Sequence, residues 1–232
     1  MNRIGIIGAM EEEVNQLKLI MDDVVIEKKA GMEFNIGTYQ GKNVVIVRSG
    51  ICKVNAAICT QILIDNYKVE GIINTGIAGS LHNDINIGDM VLSTDVMHHD
   101  VDATNFGYEF GVIPRMETST FIADKELLEK ASLVSKEVNT DIGIFLGRIV
   151  SGDQFVADKT KKDWIATTFH GFCTEMEGAA IAQTSYLNNI PFLIIRAISD
   201  KADNSAHIDY DVFEAKAIAN TVKLMKNLIP NL

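Results

Sequence analysis

The stretch Pro191-Phe192-Leu193-Ile194-Ile195-Arg196-Ala197-Ile198-Ser199-Asp200 is an apolar run of strand-forming residues that stops abruptly at two polar ones. Such a run reads as a strand buried on both faces, in the middle of a parallel sheet. In open α/β sheets the ligand crevice lies outside the carboxyl ends of the strands. Asp200 is therefore expected at the mouth of a pocket, on a rigid support. An aspartate at a strand end is also an ordinary turn or helix-cap residue, so the other carboxylates of the chain decide between the two.

Just before this run, Phe172-Cys173-Thr174-Glu175-Met176-Glu177 reads as a strand that sets two carboxylates at i and i+2, followed by a small-residue helix from Gly178. Acids between apolar runs are costly to bury without partners, which makes them more informative than surface acids. After the run, a closing helix is expected over about 211–228, with Val212, Ala215, Ala219, Val222 and Met225 facing inward.

At the other end of the chain, Ile4 to Gly8 reads as a buried first strand, and Glu11 opens a helix with Val14, Leu17 and Met21 on its apolar side. Acids in a first helical turn each gain about 0.3–1 kcal/mol from the helix dipole. This turn also follows the carboxyl end of a strand, so one of Glu11, Glu12 and Glu13 can face a pocket. Residues 33–39 alternate, 40–43 turn and 44–48 return, which predicts a hairpin. A helix is expected over 53–65. Residues 71–80 form a strand that runs into a glycine-bearing loop, suited to close approach by an anion or a sugar. Short strands near 88–93 and 142–150 and an amphipathic helix over 124–138 continue the alternation. The expected fold is α/β, a three-layer α/β/α arrangement around a central mixed, largely parallel sheet, as one domain over 1–232.

Composition narrows the function. The 232 residues are 47% hydrophobic and carry a formal charge of −10 with no basic run, which argues against a nucleic-acid surface. Cys52, Cys59 and Cys173 have no metal-like pairing and suit a reducing compartment. No apolar run has the length of a membrane span, so a cytoplasmic protein is expected. His98 and His99, adjacent on a strand, point to opposite faces and do not read as a shared metal site. No metal or cofactor is expected. The glycine-broken aromatic loop from Phe106 to Pro114 reads as local packing, a lid or a subunit contact.

Four motifs, Gly5 to Glu13, Ser151-Gly152-Asp153-Gln154-Phe155, Glu175-Met176-Glu177-Gly178-Ala179 and Arg196-Ala197-Ile198-Ser199-Asp200, resemble the 5′-methylthioadenosine/S-adenosylhomocysteine nucleosidase family. The likeness runs from Ile4 to the last helix and implies a purine nucleoside phosphorylase-like fold. It implies hydrolysis of an N-glycosidic bond to adenine and a thio-substituted ribose. Under it Glu13 activates water, Asp200 protonates adenine N7 and Ser199 orients Asp200. Glu177 holds the ribose hydroxyls and Met176 packs on the sugar. Phe155 stacks on the purine, and the Val156 backbone contacts it. Ala9, Ile51 and Gly79 line the cavity. Phe106 and Tyr108 reach the neighbouring subunit's site, which makes a homodimer the active unit. A free aspartic acid has a pKa of about 3.9, so the role implied for Asp200 requires burial.

The chain departs from the family pattern at Ile77, where a serine is common, and at Cys52, where a glycine is common. Three other readings remain at this level: a phosphate-dependent phosphorylase, a hydrolase for another purine nucleoside such as futalosine, and a non-catalytic nucleoside-binding module.

Overall fold

The apolar runs become strands in the computed structural model, which describes residues 1–203 and 206–232. The first half comprises β1 (Arg3–Gly8), α1 (Glu11–Lys18), β2 (Asp22–Lys29), β3 (Met32–Tyr39), β4 (Lys42–Arg48), α2 (Lys53–Tyr67), β5 (Gly71–Ser80) and β6 (Met90–His98). The second comprises β7 (Phe121–Ile122), α3 (Lys125–Val138), β8 (Ile144–Ser151), α4 (Lys159–Phe169), β9 (Cys173–Glu175), α5 (Gly178–Leu187), β10 (Phe192–Asp200) and α6 (Ala206–Leu228).

All strands join one mixed sheet. From its outer margin the order is β2, β3, β4, β1, β5; β5 then pairs with both β10 and β9, and β10, β6, β8 and β9 close a circuit back to it. The strands β4, β1, β5 and β10 run parallel to one another, as do β6, β8 and β9. Antiparallel pairing joins β2 to β3, β3 to β4, β10 to β6 and β9 to β5.

Every residue of β5 and β10 is buried, as continuous apolar runs in a doubly covered sheet require. Burying Ile194, Ile195 and Ile198 fully is worth about 1.5–3 kcal/mol each relative to exposure. The helices α2 and α5 pack together, whereas α6 packs on α1, α3, β5 and β10, so the sheet lies between two helical groups. These elements position the site because β1, β5, β8, β9 and β10 all direct their ends to one place.

Three local expectations need correction. First, β2 was not anticipated, because Asp22, Asp23, Glu27, Lys28 and Lys29 obscure its short apolar centre. It is an exposed, antiparallel margin strand. Second, the strand before α5 stops at Glu175, and Glu177 sits at the N-cap of α5, so the two glutamates do not share a strand face. Third, α6 begins at Ala206, and its buried stripe is Ala217, Ile218, Val222, Leu224, Met225 and Leu228, while Val212, Ala215 and Ala219 are exposed. Alanines contribute too little burial to choose a helix face; the larger side chains chose it.

Candidate active site

The carboxyl ends of the central strands surround a cavity of about 460 Å³. Glu13, Asp200 and Glu177 all line it. So do Ala9, Ile51 and Gly79 at its wall, Phe155, Val156 and Met176 beside them, and Ser199 next to Asp200. Phe106 and Tyr108 lie outside it. Phe106 ends a short 3-10 turn, Thr104–Phe106, and is 84% exposed, while Tyr108 is half-buried.

Glu13 is the only one of the three adjacent acids drawn inside. Glu11 pairs with Lys18 at 2.8 Å, Glu12 is exposed, and Glu13 is 1% exposed. At the third position of α1 its carboxylate reaches back to the N-terminal amides, half of a capping box. The Ala9 and Met10 N–H groups donate to Oε2 at 2.6 and 3.0 Å, and the Ile77 N–H donates to Oε1 at 3.2 Å. Burial pushes Glu13 above the ordinary carboxylate range, against the pull of the Arg196 charge and those three N–H groups. At Ile77, then, the backbone holds Glu13, whatever side chain the position carries.

Arg196 lies at the centre of the polar floor. A guanidinium fully buried in a strand must find carboxylate and amide partners. Its Nη2 donates to Glu175, to Asn74 Oδ1 at 2.5 Å and towards Glu177 Oε2 at 3.5 Å, and its Nη1 reaches the Ile77 carbonyl at 3.4 Å. Glu175 also accepts from the Ser151 hydroxyl and from the N–H groups of Glu177 and Gly178 at the start of α5. It is saturated by structure. Glu177 lines the cavity, accepts the Cys52 N–H at 2.8 Å on Oε1 and keeps Oε2 3.5 Å from Arg196 Nη2. Burial, and next the Glu175 charge, push the Glu177 carboxyl up to about 8, with Arg196 and the Cys52 N–H opposing.

Cys52 adopts φ 80°, ψ 163°. That region is essentially reserved for glycine and costs a side-chain-bearing residue on the order of 1–3 kcal/mol. This geometry aims the Cys52 N–H at Glu177 and gives the cysteine in this turn a physical meaning: strain held in place by a buried carboxylate.

At the opposite side, Asp200 is 2% exposed. The Ser199 hydroxyl donates to its Oδ2 at 2.9 Å, and the Ala202 N–H donates to Oδ1 at 2.7 Å. The pairing register of β10 on β5 slips between Ile198 and Asp200, which sets Asp200 opposite Gly79. A Cβ on Gly79 would lie 2.7 Å from Asp200 Oδ1, and one on Gly76 would lie 2.5 Å from Glu13 Oε1. These glycines make room for the two carboxylates, a use that the expected anion or sugar approach did not include. Gly76 and Gly79 are three strand positions apart, a distance on the order of 10 Å.

The sequence reading singled out neither Arg196 nor Tyr210 individually. Tyr210, on α6, lines the cavity, stands edge-on to Phe155 with centroids 6.1 Å apart, and donates its hydroxyl to Glu214 at 2.8 Å. A lone arginine inside a nine-residue buried strand was the available signal for the first. Nothing in the local pattern marked the second.

Comparison with known proteins gives the family. The family model described as the phosphorylase superfamily matches residues 3–230. A 5′-methylthioadenosine/S-adenosylhomocysteine nucleosidase of Bacillus cytotoxicus is 44% identical over 231 residues, covering 97% of this chain and 99% of that protein. The crystal structure of the Neisseria meningitidis nucleosidase in complex with methylthio-immucillin-A superposes with a TM-score of 0.96 at 38% identity, covering all of both chains. That of the Colwellia psychrerythraea nucleosidase in complex with adenine gives 0.95 at 37% identity, covering 99% of this chain and 95% of that one. Since sequence and backbone match these proteins from end to end, the chain belongs to the phosphorylase superfamily and, within it, to the 5′-methylthioadenosine/S-adenosylhomocysteine nucleosidases.

Proposed function

We propose that the enzyme hydrolyses the N-glycosidic bond of 5′-methylthioadenosine and S-adenosylhomocysteine, releasing adenine and the 5-thio-substituted ribose. The observation that carries this reading is a single cavity lined by Glu13, Glu177 and Asp200 together.

In the proposed mechanism Asp200, steadied by Ser199, gives its proton to adenine N7 and makes the base a better leaving group. Glu13 takes a proton from the attacking water. Burial, which raises Glu13 above the ordinary carboxylate range, makes it a stronger base than a free glutamate. The oxygen of Glu177 not bound to Cys52 accepts from the ribose hydroxyls and positions the sugar. Phe155 stacks on the purine, with the Val156 backbone beside it, and Met176 packs on the sugar. The cationic sugar of the transition state is favoured by the surrounding carboxylates.

Phosphate as the nucleophile is disfavoured. Among the described residues lining the cavity Arg196 is the one cation, it is already engaged, and Glu13, Glu175, Glu177 and Asp200 share the lining with it. We extend the proposal to a homodimer in which the exposed Phe106, with Tyr108, completes the neighbouring site near the thio-substituent.

The test is adenine release from methylthioadenosine with and without phosphate, on the wild type and on Asp200→Asn and Glu13→Gln. Release independent of phosphate, and a drop of about 10²–10⁴-fold in kcat for each variant, are expected. Strict phosphate dependence, or full activity in Asp200→Asn, would reverse the assignment.

A further inference from the structure

Outside the cavity, three residues form a closed cycle that no catalytic role accounts for. The Lys53 backbone N–H, at the start of α2, donates to Asp153 Oδ1 at 2.8 Å. The Asp153 backbone N–H donates to Asp100 Oδ2 at 3.0 Å. The Lys53 ammonium closes the cycle on Asp100 Oδ1 at 2.6 Å. None of the three is lined up on the cavity.

The cycle joins the two halves of the substrate site. Asp153 belongs to the segment 152–156, which carries Phe155 and Val156 to the cavity; the Gly152 N–H ties it to the Glu175 carbonyl, Phe155 stands against Tyr210, and Val156 packs against Ile165 and Phe169. Lys53 directly follows Cys52, whose N–H holds Glu177. The first turn of α2 thus spends its unpaired amides on two carboxylates from separate segments, one at the sugar and one under the purine. Asp100 is the keystone, and its side chain is only 14% exposed. Burial alone would raise its pKa, but the Lys53 ammonium and the Asp153 N–H outweigh this and hold the carboxyl below its ordinary value, as a working ion pair requires.

We propose that Lys53, Asp100 and Asp153 form a latch that fixes segment 152–156 against the start of α2, and so sets the spacing between the purine platform and the ribose clamp. They are positioning residues: they act through Phe155 and Glu177 and touch no substrate. The consequence for catalysis rests on the nucleosidase reading above. Stacking on the base is made in the ground state and the transition state alike, so its loss falls on KM and leaves kcat in place.

The experiment compares Asp100→Ala, Asp153→Ala, their double variant and the conservative Asp153→Asn by steady-state kinetics on methylthioadenosine, thermal unfolding, and hydrogen exchange of the 152–156 amides. Each alanine variant is expected to raise KM at least about tenfold, Asp153→Ala through the loss of one charge-assisted hydrogen bond and Asp100→Ala through the loss of two, with kcat within about twofold and faster exchange over 152–156. The double variant should resemble the singles because the bonds act as one unit, and Asp153→Asn, which keeps an acceptor oxygen, should recover most of the KM. Unchanged exchange, faster exchange with unchanged KM, additive effects, or a joint loss of kcat and Tm would each overturn the latch. Absence of adenine release by the wild type would instead sink the nucleosidase reading, and the exchange arm would still decide whether the cycle holds the segment.

Discussion

At the scale of single residues, the site depends on what is missing from β5 as much as on what is present elsewhere. Asp200 occupies the space that a side chain at position 79 would fill, so Gly79→Ala sets a methyl 2.7 Å from Oδ1 and 2.8 Å from the Ala202 Cβ. Something must shift, and the flexible partner is the carboxylate. We expect kcat to fall about 10²-fold, the effect of roughly 1 Å of misplacement, while overpacking costs only about 1–3 kcal/mol of stability. Kinetics and a melting curve on the one variant check both. Asp200 was legible in the sequence because the apolar run of β10 ends on it, whereas the pattern alone left Glu11, Glu12 and Glu13 open and the family resemblance chose Glu13. Arg196 was not, because its meaning lies in Asn74 and Glu175 on other strands, and a charge inside an apolar run does not announce its partners.

At the scale of elements, the first turn of α2 serves two surfaces. Its N–H groups bind Glu177 and Asp153, and Val54 in the same turn, 68% exposed, borders a groove with Ala57, Val101, Ile113 and Leu187. The proposed dimer is expected to cover this groove. Val54→Asp is expected to give a monomer by sedimentation and to lose most activity on thioether substrates; a fully active monomer would remove Phe106 from the site. Element types were readable from periodicity wherever large apolar residues set it, as in β5, β10 and α3. The reading failed where alanines carried the pattern, in the first half of α6, and where charges framed a short apolar core, in β2.

At the scale of the molecule, the closed circuit of β5, β10, β6, β8 and β9 brings acids from distant parts of the chain into one buried cluster, and stability should report on it. Glu177, at about 8 in the fold against an ordinary 4.5, binds a proton between those values that the unfolded chain does not. Its contribution is therefore complete below about pH 4.5 and is lost as pH rises through about 8. The wild type should lose more Tm between pH 5 and about 8.5 than Glu177→Gln, which cannot titrate there; parallel curves would show that Glu177 is ionised throughout. No linear pattern announces such a cluster, since it exists only once the circuit closes. The same floor of carboxylates has a consequence for competition inside a mixture of metabolites. Adenine nucleotides offer the same base and sugar as the proposed substrates, but each would carry its 5′ anion into a chamber whose one cation among the described lining residues, Arg196, is already paired with Glu175. Such an anion is expected to find no unengaged cationic partner there, and discrimination against the adenylate pool is expected to follow from that missing partner.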